Sequence, residues 1–155
     1  AIDTEAAWDH AGKGVFFTSD RSGGPQIYYM ERPGAEARRL TFGSRYNARP
    51  RPDSKGEYVY YVHQRDRSFH IARRNLKTDE EFIVTRTGTD ESPSVSPNGR
   101  MLIYATEQGG KGVLTVVSAD GGAAYSLPAS EGEVREPAWG PITRYPLKAK
   151  KVNVT

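Results

Sequence analysis

Few residues in this sequence have the type and spacing that covalent chemistry needs. None of the 155 residues is cysteine, which excludes disulfides and thiolate metal sites. The three histidines, His10, His63 and His70, show no ligand spacing. No G-x-S-x-G segment supplies a nucleophile elbow. Asp20-Arg21-Ser22-Gly23-Gly24 has the composition of an anion-binding nest, but Asp followed by two glycines is ordinary turn chemistry. What remains is charge and aromaticity in four short stretches: Thr4 and Glu5, Tyr46 and Arg49, Asp90 and Glu91, Arg135 and Glu136. Mixed charges of this kind either orient a protein partner, setting register and association rate more than raw affinity, or are simply the solvated loops of a surface, and the residues alone leave both readings open. They call for no enzyme activity, no cofactor and no metal.

The elements that position those stretches follow from an internal repeat. Trp8, Pro52, Val95 and Trp139 are spaced by 44, 43 and 44 residues. Gly12, Gly56 and Gly99 each follow the first three by four residues, and Ile27, Ile71 and Thr115, then Leu40, Val84 and Leu127, keep nearly the same period. Each copy begins with a short segment (Ala6–Trp8, Ser94–Ser96, Ala138-Trp139). A turn follows, and then an apolar strand (Val15–Thr18, Tyr58–Val62, Met101–Ala105). A polar hairpin leads to a third strand (Gln26–Met30, Phe69–Ala72, Val113–Val117), and a more polar fourth closes the copy around Leu40, Ile83 and Ser126. Four strands at this period predict the blade of a β-propeller. The second strand, apolar on both faces, suits a position sandwiched between blades. The fold class is thus all-β: three four-stranded antiparallel blades plus the first strand of a fourth, a partial ring. The repeats run over about 2–45, 46–88 and 89–133, with a partial copy at 134–141 and a basic tail at 142–155. In such a fold Trp8 and Trp139 are expected to pack in the core, and the eight singled-out residues gather around the mouth of the central tunnel. The hairpins Ser19–Pro25, His63–Ser68 and Glu107–Lys111 join them on that rim.

Composition bounds the partners. The formal net charge is only +3, and Arg144, Lys148, Lys150 and Lys151 carry much of it, so no basic stripe marks a nucleic-acid surface. No run approaches the roughly 20 apolar residues of a membrane-spanning helix, so direct membrane insertion is not expected. No signal peptide opens the chain, which reads as a mature product or a fragment. Three blades leave two broad faces open. Four or five large apolar side chains laid bare, at roughly 1.5–3 kcal/mol each, would cost on the order of 10 kcal/mol, against a domain stability of about 5–15 kcal/mol. Three blades alone are therefore expected to self-associate or to belong to a larger propeller.

Particular stretches resemble one family. Glu5-Ala6-Ala7-Trp8, Ser92-Pro93-Ser94-Val95-Ser96-Pro97-Asn98-Gly99 and Glu136-Pro137-Ala138-Trp139-Gly140-Pro141 resemble the E-P-x-W-S-P-D-G repeat of TolB-type propellers. The run from Phe17 to Tyr28, FTSDRSGGPQIY, is similar to the F-T-S-D-x-x-G-x-P-Q-[IV]-Y segment of the same family, and Leu114–Gly121 and Leu127–Val134 are similar too. The likeness covers residues 1–141. It departs where Ala6 and His10 stand in place of Pro, and in the tail from Ile142. The resemblance implies the C-terminal part of a six-bladed propeller that follows a small α/β domain. It also implies a periplasmic location in the Tol–Pal envelope system, with the lipoprotein Pal, other Tol-system proteins and colicin translocation peptides as partners. Two other readings stay open: the gating propeller of a prolyl-oligopeptidase-like serine hydrolase, and a generic propeller scaffold.

Overall fold

The computed structural model describes residues 1–128, 132 and 134–140. The basic tail at 142–155 lies outside the described residues. Twelve strands, and no helix, form among the described residues. Among the described residues no helix is long and apolar enough to cross a membrane.

The strands make three separate four-stranded sheets, each a meander in chain order. Blade 1 holds β1 (Asp3–Trp8), β2 (Val15–Ser19), β3 (Gln26–Met30) and β4 (Arg38–Arg39). Blade 2 holds β5 (Asn47–Pro52), β6 (Tyr58–Arg65), β7 (Ser68–Asn75) and β8 (Glu81–Ile83). Blade 3 holds β9 (Glu91–Val95), β10 (Met101–Gln108), β11 (Lys111–Ser118) and β12 (Ala124–Ser126). All pairings within the sheets are antiparallel. The sheets do not close on one another.

Each turn between the first two strands is built on one polar side chain. Asp9 Oδ1 accepts from the Ala11 and Lys13 N–H groups, and Asp53 Oδ1 from those of Glu57 and Tyr58. Ser96 Oγ accepts from Met101 N–H. The glycine column at 12, 56 and 99 supplies the left-handed residue of each turn, with φ of 68°, 73° and 73°.

Two cores lie between the sheets. Phe16, Ile27 and Leu40 of blade 1 meet Val59, Tyr61 and Ala72 of blade 2. Tyr60, Val62, Ile71 and Val84 of blade 2 meet Leu102, Tyr104, Val117 and Ala119 in the third repeat. Blade 2 is therefore buried on both faces, as its unbroken Tyr58-Val59-Tyr60-Tyr61-Val62 run requires. The outer faces of the end blades stay bare: Ile2 and Trp8 are 68% and 60% exposed on one side, Tyr125 and Leu127 67% and 41% on the other.

Three positions differ from the sequence reading. Strand pairing aligns Leu114, not Thr115, with Ile27 and Ile71. Leu40, Val84 and Leu127 donate their N–H groups to the carbonyls of Ile27, Ile71 and Leu114 in turn. A one-residue slip on a strand exchanges its two faces, so Thr115 belongs with Tyr28 and Ala72. The second correction concerns Trp8 and Trp139, which are both exposed and are not core packing. Val95, one repeat-pair later, packs on the core of the sheet before it. Trp139 donates its backbone N–H to Ser94 Oγ (3.1 Å) and its indole N–H to the Ser94 carbonyl (3.0 Å). This position reaches back to the preceding blade, and among the described residues no blade stands before Trp8. Third, residues 134–140 form no strand, although Glu136 adopts the backbone conformation found at the start of each blade.

Candidate functional site

That conformation is the device that builds the rim. Glu5, Arg49, Ser92 and Glu136 have φ of 55°, 58°, 52° and 53°. They recur at the repeat spacing, and left-handed geometry is uncommon for residues with a Cβ. In each complete blade the residue opens a bulge where two residues face one: Glu5-Ala6 opposite Phe17, Arg49-Pro50 opposite Tyr61, Ser92-Pro93 opposite Tyr104. Proline fits the second place because a bulge releases that N–H from the ladder. The bulge turns the first side chain off the sheet and toward the neighbouring blade.

The side chains at this position then clasp each other. The Glu5 carboxylate accepts from the Thr18 hydroxyl (3.0 Å), the Arg49 backbone N–H (3.1 Å) and Arg49 Nε (3.0 Å). Arg49 Nη1 donates onward to Ser92 Oγ (2.7 Å). Three successive blades are tied at their inner strands by one chain of charge-assisted hydrogen bonds. The loops that lead into each blade are stitched to the blade before: Asn47 N–H donates to the Pro25 carbonyl (2.9 Å) and Asp90 N–H to that of Phe69 (3.0 Å).

Two clefts open on this framework and share Arg49. One, of about 350 Å3, is lined by Tyr46, Arg49, Asp90, Glu91 and Arg135, with Phe69, Thr89, Thr106 and Glu107. The other, of about 450 Å3, runs along the inner strands past Glu5, Arg49, Arg51, Ser92 and Glu136. Seven of the eight residues singled out from the sequence thus fall in two joined clefts. Thr4 does not; it is exposed, beside a separate hollow lined by Asp3, Val15, Phe17 and Met30. Asp90 is fully buried, and its carboxylate accepts from the Thr85 and Thr87 hydroxyls. It anchors the loop, and its neighbours Thr89 and Glu91 carry the exposed chemistry.

Tyr46 stands edge-on to Phe69, with ring centroids 5.5 Å apart. Burial pushes its phenol above the ordinary value; Glu5 and Glu91 add to the shift and Arg49 opposes it. The hydroxyl therefore stays protonated, a donor beside acidic neighbours. Phe69, Ser92 and Arg51 were not singled out from the sequence. The signal for Ser92 was there, since it stands before Pro93 as Arg49 stands before Pro50 and Glu136 before Pro137. Among the described residues no group of three or more His, Asp or Glu side chains is placed to hold a metal ion.

Comparison with known proteins agrees with this geometry. The family described as the TolB beta propeller domain matches residues 1–143. The Tol-Pal system protein TolB of Bordetella pertussis is 48% identical over 143 residues, which is 92% of this chain and 33% of that protein. The TolB of Hydrogenovibrio crunogenus is 47% identical over 101 residues, 65% of this chain and 23% of that protein. The crystal structure of TolB from Acinetobacter baumannii superposes with a TM-score of 0.82 at 44% identity, covering 90% of this chain and 35% of that one. The chain spans about a third or less of the length of these relatives. By its repeats, its bulged inner strands and these likenesses, the chain belongs to the TolB β-propeller family.

Proposed function

We propose that this chain is the C-terminal part of a larger, six-bladed propeller that works as a non-catalytic binding component of the Tol–Pal envelope system in the periplasm. Residues 1–141 form the partial propeller in this reading and 142–155 a separate tail. The partner is the lipoprotein Pal, joined by other Tol-system proteins and by colicin translocation peptides. The observation that carries the proposal is the pair of clefts meeting at Arg49, which gathers Tyr46, Glu91, Arg135 and Glu136 on one rim. Alternating charge beside an aromatic edge steers and registers a protein surface. Among the described residues that line the clefts none is a histidine or cysteine, which supports binding over a nucleophile-and-base hydrolysis.

The test is charge reversal at Glu91→Lys together with Arg135→Glu, with Pal association followed by surface plasmon resonance. Rim charges act mainly on encounter, so the association rate should fall about tenfold at low salt, with a smaller change in dissociation. Unchanged kinetics would remove this rim from the interface.

A further inference from the structure

The end of the blades away from the tunnel-mouth rim holds a third feature, between blades 1 and 2. A cleft of about 210 Å3 is lined by Phe16, Leu40, Pro52 and Leu76, with Asp9, His10, Tyr29 and Arg38 around it. The matching place between blades 2 and 3 is filled from within. There Arg73 crosses the gap, donates Nη1 to the Ala119 carbonyl (2.8 Å), and lies over the rings of Tyr58 (4.2 Å) and Phe82 (5.3 Å). The repeat puts Tyr29 where Arg73 stands, Arg38 where Phe82 stands and Gly14 where Tyr58 stands. Tyr29 does not cross. Its hydroxyl bonds Asp9 Oδ2 (3.0 Å) and lies over Gly14, where a Cβ would come within 2.3 Å of it.

We propose that this gap takes an aromatic side chain from a protein partner whose flanking residues are acidic. At about 210 Å3 it is smaller than the roughly 300–1,000 Å3 of small-molecule sites, which suits one side chain. Its floor is apolar and already aromatic, with Phe16 and Tyr29 rings 4.7 Å apart. Arg38 is exposed on the strand opposite Tyr29, and among the described residues its guanidinium has no hydrogen bond, ion pair or ring contact. Three other arginines among the described residues lie over aromatic rings: Arg21 over Phe17 and Tyr28, Arg39 over Phe42, Arg73 over Tyr58 and Phe82. An incoming ring gives Arg38 the same contact. The Asp9 oxygens already accept from three turn N–H groups and the Tyr29 hydroxyl, and Glu31 is paired with Arg32. Arg38 is the ionic group at the rim left to meet an incoming charge, and carboxylates flanking the ring complement it.

The experiment is saturation-transfer NMR on the chain with three capped peptides: acetyl-Glu-Trp-Glu-amide, acetyl-Lys-Trp-Lys-amide and acetyl-Glu-Ala-Glu-amide. The acidic tryptophan peptide should show strong transfer to its indole, saturating in the millimolar range. The lysine peptide should bind about tenfold more weakly, and the alanine peptide should show no transfer. Tyr29→Arg with Arg38→Phe copies the blade 2 pair, fills the gap from within, and should abolish the indole signal. Arg38→Ala is an exposed change that leaves the fold intact, and it should erase the preference for acid over base. Equal indole transfer in the parent and the filled variant would place the ring on the open blade faces and overturn the proposal. So would indifference to Arg38→Ala. The site is independent of the rim, so Glu91→Lys with Arg135→Glu should leave these signals unchanged.

Discussion

The interface between blades 1 and 2 and the one between blades 2 and 3 share a framework and differ in what fills it. In both, the first strand of the later blade lies against the sheet before it, and apolar side chains from equivalent positions interleave. At the second interface the chain completes the packing itself, with Arg73 across the gap. At the first it leaves a cavity beside Arg38. The buried polar links differ as well. Beneath the loop into blade 2, Gln26 accepts from the Thr41 hydroxyl (2.7 Å) and Asn47 (2.9 Å), and Asn47 Oδ1 meets His63 Nδ1 (2.8 Å). Beneath the loop into blade 3, the same places hold His70 and the Asp90 carboxylate. His70 Nδ1 sits 3.9 Å from that carboxylate, buried and without a hydrogen-bond partner among the described residues. The backbone period fixes where blades meet, while the few side chains that span the gap are free to vary, and with them what each interface offers to a partner.

The largest test of the comparison is in the cores. Leu102 and Val59 occupy equivalent positions, one at each interface, and both are fully buried. Leu102→Ala should cost about 2–5 kcal/mol, and Val59→Ala less, because fewer methyl groups leave. Urea unfolding followed by circular dichroism measures both. A greater loss for Val59→Ala would mean that the first interface, despite its cavity, bears more of the packing.

The next test removes the plug. Arg73→Ala deletes a charged hydrogen bond to a carbonyl and contacts to two rings, which should cost about 2 kcal/mol. Tyr29→Phe, at the equivalent place, should cost less, because it removes only the hydroxyl bond to Asp9 within its own blade and keeps the ring against Phe16. Equal losses would show that crossing the gap adds nothing to stability.

How much of this was legible follows from the same distinction. Periodicity located the strands, the turns and the lead-in loops because those depend on backbone geometry repeated in each copy. The glycine column at 12, 56 and 99 and the prolines at 50, 93 and 137 mark it directly. Side-chain reach was not legible. Trp8 reads as core because its type is apolar, but its partner would be a blade that lies before it. Asp90 reads as surface because carboxylates usually are, yet two threonine hydroxyls satisfy it in the interior. Arg73 and Arg38 look alike in sequence; only the ring on either side separates a plug from an open rim.

The smallest effect is a pH dependence carried by His63 at the first interface. Burial holds the His63 imidazole below its ordinary value of 6.5. Glu81, with Oε2 3.8 Å from Nδ1, pulls the other way; His70 directly across the ladder and Arg65 add to the depression. The folded chain therefore takes up this proton less readily than the unfolded chain. The contribution is whole above about 6.5, where both states are neutral. It falls as pH drops, because the unfolded chain binds the proton first, and it levels off only below the folded value. His63→Gln keeps a donor for Asn47 and cannot titrate, so its unfolding midpoint should fall less between pH 7.5 and 5.5 than the parent's. Identical slopes would show that the His63 imidazole carries none of the acid sensitivity.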